Sequence, residues 1–435
     1  MRKRYHTEEM SMNVDNRSLF IADNLDVMRG INSECIDLIY LDPPFKSGKK
    51  WKAPIGSPAE GAEFKDIWED EDIKHEWHGQ IAEEHEELYQ IIQASERIYD
   101  KSMKIYLMAM TVRLFEMHRI LKPTGSIYLH CDPTASHYLK MVMDDVFGKD
   151  NFRNEIIWGY ADRGRAPTGQ YPRKHDTILF YTRTPKNLFN RQYLALSDHE
   201  IEEKYPHTDE NGRFYWHSKK QNRKAYYNGQ GKNVLSHWTD ISIINQIAKE
   251  RTGYPTQKPI ALLKRIIEAS TNEGDIVLDP FCGCATACVA AEQLHRQWVG
   301  IDISPSAENI TKLRLDAETM PIQLRDPNPS QRVTVRTEPP KRTDDMRDTI
   351  QIRLPDAEAH KHALYGQQEG RCNGCQVLFP FRNMTIDHIV SQRYGGTDRI
   401  ENLQLLCNAC NTAKGTGTQE ELIERLRENG IIQAA

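Results

Sequence analysis

No apolar run in this sequence approaches the roughly 18 residues that a bilayer-spanning helix needs, so no spanning helix and no membrane partner are expected. The opening MRKRYHTEEM lacks the apolar stretch of a secretory signal, and a cytoplasmic protein is expected. Cysteine is scarce: nine residues in 435, unevenly placed, are too few for a disulfide framework. Neither sign of charge dominates. Lys plus Arg is 57 against 62 for Asp plus Glu, a formal −5, so a polyanionic partner has to be met by local patches. Internal repeats and low-complexity tracts are absent too, which excludes solenoids and arrays. What remains is a chain long enough, at roughly 100 to 200 residues per domain, for two or three domains with cores of their own.

Residues 16–45 read as a turn, a helix and the apolar strand Ile36–Leu41, which the prolines of Asp42-Pro43-Pro44-Phe45 end. The acidic, tryptophan-containing stretch from Glu60 to Glu87 reads as a solvated insertion without chemistry. Residues 102–121 have helical spacing, Lys122-Pro123-Thr124-Gly125 is a stop signal, and Ser126–His130 is a strand. The cycle repeats with a strand at Thr177–Thr182, a helix at Ile260–Ser270 and a strand at Asp275–Leu278, an alternation that predicts an α/β domain. Residues 326–345 are proline-rich and charged and read as an exposed linker. The expected division is a domain over 1–325, a linker over 326–349 and a small domain over 350–435.

The segment from Ile276 through Asp279-Pro280-Phe281-Cys282-Gly283-Cys284-Ala285-Thr286 is a strand, a tight turn and the helix Ala287–Leu294. A small residue in that turn lets the backbone approach a nucleoside cofactor at the carboxyl end of a parallel strand. About 20 residues on, the strand Trp298–Ile301 ends in Asp302, placed like an acid that accepts hydrogen bonds from ribose hydroxyls. Cys282, Cys284 and Cys288 lie across the turn and helix start and read as small side chains that fit there, not as a metal site.

Asp42-Pro43-Pro44-Phe45 suits attack by an exocyclic base amine. Such an amine is a poor nucleophile because its lone pair is conjugated with the ring, and a carboxylate accepting its N–H localises that pair. The prolines fix the backbone, and Phe45 offers a face to a flipped base, whose extraction costs a few kcal/mol. An ordinary strand-ending turn would account for the prolines, but not for the acid and the aromatic together with the downstream turn.

With Tyr254-Pro255-Thr256-Gln257-Lys258-Pro259 ahead of the turn and Asp23 in Ala22-Asp23-Asn24-Leu25, the chain resembles the beta group of DNA adenine-N6 and cytosine-N4 methyltransferases over about residues 16–320. The resemblance implies a Rossmann-like S-adenosylmethionine-dependent domain with a target-recognition region inserted at about 160–252. It places Asp23, Lys258, Asp279, Phe281, Gly283, Thr286 and Asp302 at S-adenosyl-L-methionine, and Asp42, Pro43, Pro44 and Phe45 at the target base. Two positions depart from the group: Ala285 stands where a second glycine is frequent, and Lys46 where asparagine often follows. Aspartate at the head of the motif favours adenine, with cytosine-N4 as the alternative. Methylation of a glutamine amide in a protein is a reading from another class, against which the motif order and the basic insert argue.

That insert carries Arg213, Lys219, Lys220, Arg223, Lys224 and Lys232 without an acid, interleaved with Phe214, Tyr215, Trp216, Tyr226 and Tyr227. Cations neutralise phosphates while aromatic faces meet exposed bases, so double-stranded DNA is the expected partner; a solvated face of an ordinary subdomain is the plainer alternative. Arg163, Arg165, Arg173 and Lys174 form a second basic cluster.

Cys372-x2-Cys375 and Cys407-x2-Cys410 supply four thiolates, the tetrahedral set that structural Zn2+ prefers. Between the pairs lies Asp387-His388-Ile389, and after them Asn411 and Lys414-Gly415, which resembles the HNH nucleases over about 355–416. The resemblance implies a ββα-metal unit in which His388 is the general base, Asp387 and Asn411 hold Mg2+ or a similar divalent cation, and Asn402 orients the loop. A zinc module that only grips DNA is the alternative. One such site cuts one strand, so a double-strand break makes a homodimer a reasonable expectation.

Overall fold

The computed structural model describes residues 12–44, 50–54, 56–60, 63–65, 68–160, 167–245, 248–319, 329–344 and 360–432. Phe45, Lys46, Arg163 and Arg165 lie outside the described residues.

The chain opens with β1 (Ser18–Ile21), α1 (Asn24–Gly30) and β2 (Ile36–Leu41). Strand β1 stands where the sequence reading had only a turn, because its four residues are too few to display a period. Next come α2 (His75–Glu84), α3 (Glu86–Ile98) and α4 (Lys101–Ile120). Asp100 caps α4 by accepting from the amide of Met103 at 2.8 Å, and the helix is buried on most of its surface. Strand β3 (Leu121–Cys131) follows without a break. The Lys122–Gly125 stop signal therefore ends the helix but not the strand: Leu121 pairs with Ile36, the register slips, and Ser126 pairs with Leu38, so the proline and glycine sit in a bulge.

After α5 (Ser136–Phe147) come β4 (Phe152–Gly159) and β5 (His175–Thr182). Beyond them lie α6 (Asp198–Lys204), a hairpin of β6 (Gly212–Ser218) and β7 (Arg223–Tyr226), and the short β8 (His237–Trp238). The second half adds α7 (Ile260–Ser270), β9 (Ile276–Asp279), α8 (Thr286–Gln293), β10 (Gln297–Asp302), α9 (Ser306–Thr319) and β11 (Thr334–Arg336).

Nine strands make one sheet in the order β8-β4-β5-β3-β2-β9-β10-β1-β11. All neighbours are parallel except those of β5, which runs against β3 and β4. Helices cover both faces, and the apolar cores divide accordingly, one around α4 and α5 and the other around α7 and α8. This is the α/β arrangement expected from the strand and helix alternation, in the Rossmann-like layout that the resemblance implied. Because β1, β2, β3, β9 and β10 are parallel, their carboxyl ends share one edge of the sheet, where such folds bind ligands.

The stretch read as an exposed linker is in part a docked edge. Strand β11 pairs with β1, and beyond it the amide of Thr343 donates to Asn32 Oδ1 at 2.8 Å while Asp344 accepts from the amide of Ser33 at 2.7 Å. Proline and charge content suggested exposure, but these polar side chains satisfy the turn after α1.

The C-terminal module consists of α10 (Lys361–Gln367), a cysteine loop, the antiparallel pair β12 (Met384–His388) and β13 (Leu403–Cys407), α11 (Asn408–Lys414) and α12 (Gln419–Glu428). Its apolar residues Leu364, Tyr365 and Phe381 join the core that contains Trp77, Ile81 and Tyr89. Among the described residues, no helix is long and apolar enough to cross a membrane.

Candidate active site

Five parallel strands end in acids at the same edge: Asp23 just after β1, Asp42 after β2, Asp132 after β3, Asp279 at the end of β9 and Asp302 at the end of β10. All five line one cavity of about 830 Å³, together with Pro43, Pro44, Lys258, Phe281, Gly283 and Thr286. The described residues expected at cofactor and target base are thus brought to a single site.

Asp302 holds the cofactor turn. Its Oδ2 accepts from the amide of Gly283 at 2.8 Å and its Oδ1 from that of Ser304 at 2.8 Å. Gly283 has φ +50°, where a side chain would be strained, and a Cβ there would also crowd the hydroxyl of Tyr254 at 3.0 Å. Ala285 takes φ +58° as the N-cap of α8, a left-handed conformation that a second glycine would adopt without strain. Asp279 accepts from the amide of Phe281 at 3.1 Å. Burial pushes the Asp279 carboxyl well above its ordinary range and raises that of Asp302 as well, so both carboxylates gain from a ligand that brings positive charge or hydroxyl donors.

Asp42 is divided in its bonding. Its Oδ2 lies 2.5 Å from Lys258 Nζ, whereas Oδ1 is buried and has no hydrogen-bond partner among the described residues. An orphaned carboxylate oxygen costs free energy unless a donor arrives, and here it belongs to a cavity-lining residue. Lys258, which the resemblance placed at the cofactor, lines the shared cavity, and its ammonium ion-pairs with Asp42 there. Asp23 faces the cavity but also caps α1, accepting from Leu25 N at 2.8 Å and from Arg113 Nη2 at 3.0 Å.

Several lining residues carried no motif. Trp68, Asp72, Lys74 and Trp77 line the cavity, which corrects the reading of residues 60–87 as a solvated insertion. Arg113, buried in α4, places its guanidinium 5.3 Å from the Trp68 ring and 5.9 Å from the Trp77 ring. Buried Arg314 donates to Thr286 Oγ1 at 2.8 Å and to the carbonyl of Cys284 at 2.8 Å. Tyr40, another lining residue, bonds His130 Nδ1 at 3.0 Å, and His130 Nε2 meets Asp176 at 3.0 Å. A tryptophan in an acidic run and arginines inside helices look like ordinary surface and core, so only the folded chain reveals them. The small-residue reading of Cys282, Cys284 and Cys288 agrees with their burial.

The basic insert is less cationic than its sequence. Lys224 pairs with Asp209 at 2.5 Å and lies 4.4 Å from the Phe214 ring, Arg213 pairs with Glu202 at 2.9 Å, and Lys232 pairs with Glu200 at 2.8 Å. The acids come from outside the 213–232 window. Lys219, Lys220 and Arg223 at the hairpin tip are exposed, as is Arg173, beside the half-buried Lys174.

In the C-terminal module the four sulfurs of Cys372, Cys375, Cys407 and Cys410 lie within 4.8 Å of one another, a set that fits zinc. Amides of Gly374 and Cys407 donate to Cys372 Sγ at 3.3 and 3.2 Å. Strands β12 and β13 and helix α11 form the expected ββα unit, with Asp387 and His388 ending β12 and Asn411 in α11. Asn402 ties the loop, accepting from Val390 N at 2.9 Å and donating to the carbonyl of Thr397 at 2.9 Å. Asp387 Oδ2 accepts from Gln404 at 2.8 Å and pairs with Lys414 at 2.9 Å. His388 Nε2 lies 2.7 Å from Asp398 Oδ1, a partner that the sequence reading missed; hydrogen bonding to His388 holds the Asp398 carboxyl below its ordinary range.

Comparison with known proteins places this geometry. Residues 36–313 match the DNA methylase family and residues 372–417 match HNH endonuclease. The Type II methyltransferase M.HpaI of Haemophilus parainfluenzae is 29% identical over 301 residues, covering 69% of this chain and 74% of that one. The DNA adenine methyltransferase YhdJ of Escherichia coli (strain K12) is 27% identical over 300 residues, 69% of this chain and 83% of the other. Among solved structures, PvuII DNA methyltransferase (cytosine-N4-specific) aligns with 68% of this chain and 86% of its own at 15% identity, with a TM-score of 0.41. Since the methylase match runs from β2 through both acid-ended strands of the cofactor turn, the chain belongs to the DNA methylase family of N6 and N4 methyltransferases and carries an HNH endonuclease domain behind it.

Proposed function

We propose that the protein transfers a methyl group from S-adenosylmethionine to adenine N6 in a short double-stranded DNA sequence, and that its HNH domain nicks DNA with a divalent cation. The observation that carries the first part is the divided bonding of Asp42, with one oxygen held by Lys258 and the other buried without a donor among the described residues. S-adenosylmethionine, when bound, supplies a methyl group on positively charged sulfur and leaves as the neutral thioether. The ribose hydroxyls of such a donor suit Asp302, and the Gly283 turn admits its close approach. Asp42 Oδ1 accepts one N–H of the flipped base amine, which localises the nitrogen lone pair toward the methyl carbon. As the N–C bond forms, that proton can pass to Oδ1, while Lys258 keeps the carboxylate fixed and balanced in charge. Pro43 and Pro44 keep the strand end rigid, so the carboxylate does not swing away.

Aspartate at position 42 and the similarity to a relative named as an adenine methyltransferase both favour adenine over cytosine-N4. Methylation of duplex DNA with labelled donor, followed by nucleoside analysis, tests the reading. N6-methyladenine is expected, N4-methylcytosine would replace it, and wild-type activity in Asp42→Asn would remove the mechanism.

For the HNH domain, the presence of Asp387 at the end of β12 and Asn411 in α11 of one ββα unit supports a hard cation site. His388 would take the proton from water. Cation-dependent nicking lost in His388→Ala with methylation retained is the expected result; no nicking in the parent protein would favour a domain that only binds DNA.

A further inference from the structure

Helix α2 has the cavity on one side and the C-terminal module on the other. At its start, Lys74 and Trp77, with Trp68 and Asp72 just upstream, line the cavity, and Trp68 stands edge-on to Phe281 at 6.2 Å. Arg113 packs against both tryptophan rings and is itself fixed by Asp23 at 3.0 Å and by Asn24 Oδ1 at 2.7 Å. The rings and the guanidinium form one wall facing the cofactor turn.

Against the same helix lies α10 of the C-terminal module, close enough for backbone contact. A Cβ on Gly79 would fall 2.4 Å from His362 Cα, and one on Gly366 would fall 2.1 Å from the carbonyl oxygen of His75. Neither position accepts a side chain unless the helices separate. His362 pairs with Glu83 at 2.5 Å, Arg382 pairs with Glu86, and Tyr365 meets Tyr89 with ring centres 5.7 Å apart. The apolar core passes from Trp77 and Ile81 into Leu364 and Phe381 without interruption.

We propose that the C-terminal module is a positioning element of the methyl-donor site: by clamping α2 through the Gly79 and Gly366 crossing, it sets the Trp68, Arg113 and Trp77 wall of the cavity. Helix α2 has 10 residues, and a helix of that length is marginal in water without tertiary packing. Nothing in methyl transfer otherwise calls on a nuclease domain, yet the wall that bounds the donor depends on a helix that this domain holds. Coupling through a packed element is reciprocal, so donor binding tightens the α2–α10 contact by the same factor by which that contact tightens donor binding. The inference rests on reading the cavity as the donor site.

The full-length protein is titrated with S-adenosylhomocysteine by calorimetry, and the Gly366→Val variant is compared after circular dichroism and zinc content confirm its fold. A side chain at 366 should raise the dissociation constant about five-fold or more. Hydrogen exchange of the parent protein is a second readout that needs no variant: the amides of α10, outside the cavity, should exchange more slowly when S-adenosylhomocysteine saturates the site. Parent binding with unchanged α10 exchange, or a folded Gly366→Val protein of parental affinity, overturns the coupling and leaves the donor site standing. A parent protein that does not bind S-adenosylhomocysteine at all sinks the reading of the cavity, and this inference with it.

Discussion

Lys258 Nζ lies 2.5 Å from Asp42 Oδ2, joining the residue after β2 to the segment that leads into α7. Both side chains are largely shielded, at 9% and 18% exposure, so this pair is not a screened surface contact. The arrangement makes Lys258 a partner of the carboxylate proposed to meet the base.

Lys258→Gln should therefore lower kcat by roughly 100-fold, the scale for losing one preorganised charge partner, while changing S-adenosylhomocysteine affinity little. Lys258→Arg should recover part of the rate because the charge returns. Steady-state kinetics beside calorimetric binding separates the roles: a loss confined to donor affinity, with kcat intact, would make Lys258 a cofactor residue and nothing more.

Asp302 predicts how donor binding varies with pH. Burial raises its carboxyl above the ordinary 3.8, against the amides of Ser304 and Gly283, which pull the other way. A carboxyl raised in the folded state takes up a proton on folding, so its ionisation costs stability as pH climbs from 3.8 through the raised value. Hydroxyls donated to the ionised carboxylate offset that cost, and donor binding then releases a proton within the window. Affinity for S-adenosylhomocysteine should rise with pH across that acidic range and level off above it, and Asp302→Asn should flatten the curve. A parent curve already flat there would remove Asp302 from the ribose.

Much of this site was legible because its chemistry needs particular residues at strand ends. Asp42, Asp279 and Asp302 each follow a short apolar run, and a parallel sheet brings such ends to one edge whatever the intervening sequence. Trp68, Trp77 and Arg113 were not legible, since each is an ordinary residue whose role depends on how α2 lies against α4. Strand β11 was hidden for a different reason: Thr334–Arg336 lies within a proline-rich, charged stretch, and only pairing with β1 makes it a strand. The unbalanced positive charge of Lys224 and Arg213 was overstated by local sequence because Asp209 and Glu202 reach them from outside the basic window.

The His388–Asp398 contact gives a test of the nuclease site that leaves methylation untouched. With Nε2 held 2.7 Å from Asp398, the role proposed for His388 falls to its other ring nitrogen, with Asp398 as the orienting acid. Asp398→Asn should slow nicking by roughly ten-fold or more, less than the 10²- to 10⁴-fold typical of losing the base itself in His388→Ala. Methylation by both variants should match the parent. Equal nicking by Asp398→Asn and parent would reduce the contact to a surface pair.

Metal removal should act on the C-terminal module before the sheet. Cys372 and Cys410 are buried in the module core beside Leu405, Leu406 and Leu422, so the sulfur cluster doubles as part of the packing. Without the ion, four thiolates packed within 4.8 Å would repel, and protonation would relieve the charge but not restore the cross-link. Cys410→Ser should lose zinc by elemental analysis and bring forward a separate low-temperature melting transition, while the nine-stranded sheet keeps its own. Because α10 belongs to this module and touches α2, the same variant should also weaken S-adenosylhomocysteine binding, although position 410 lies outside the cavity. A single unshifted melting transition with zinc absent would show that the cysteines pack without needing the metal, and the cluster would then be an apolar core element alone.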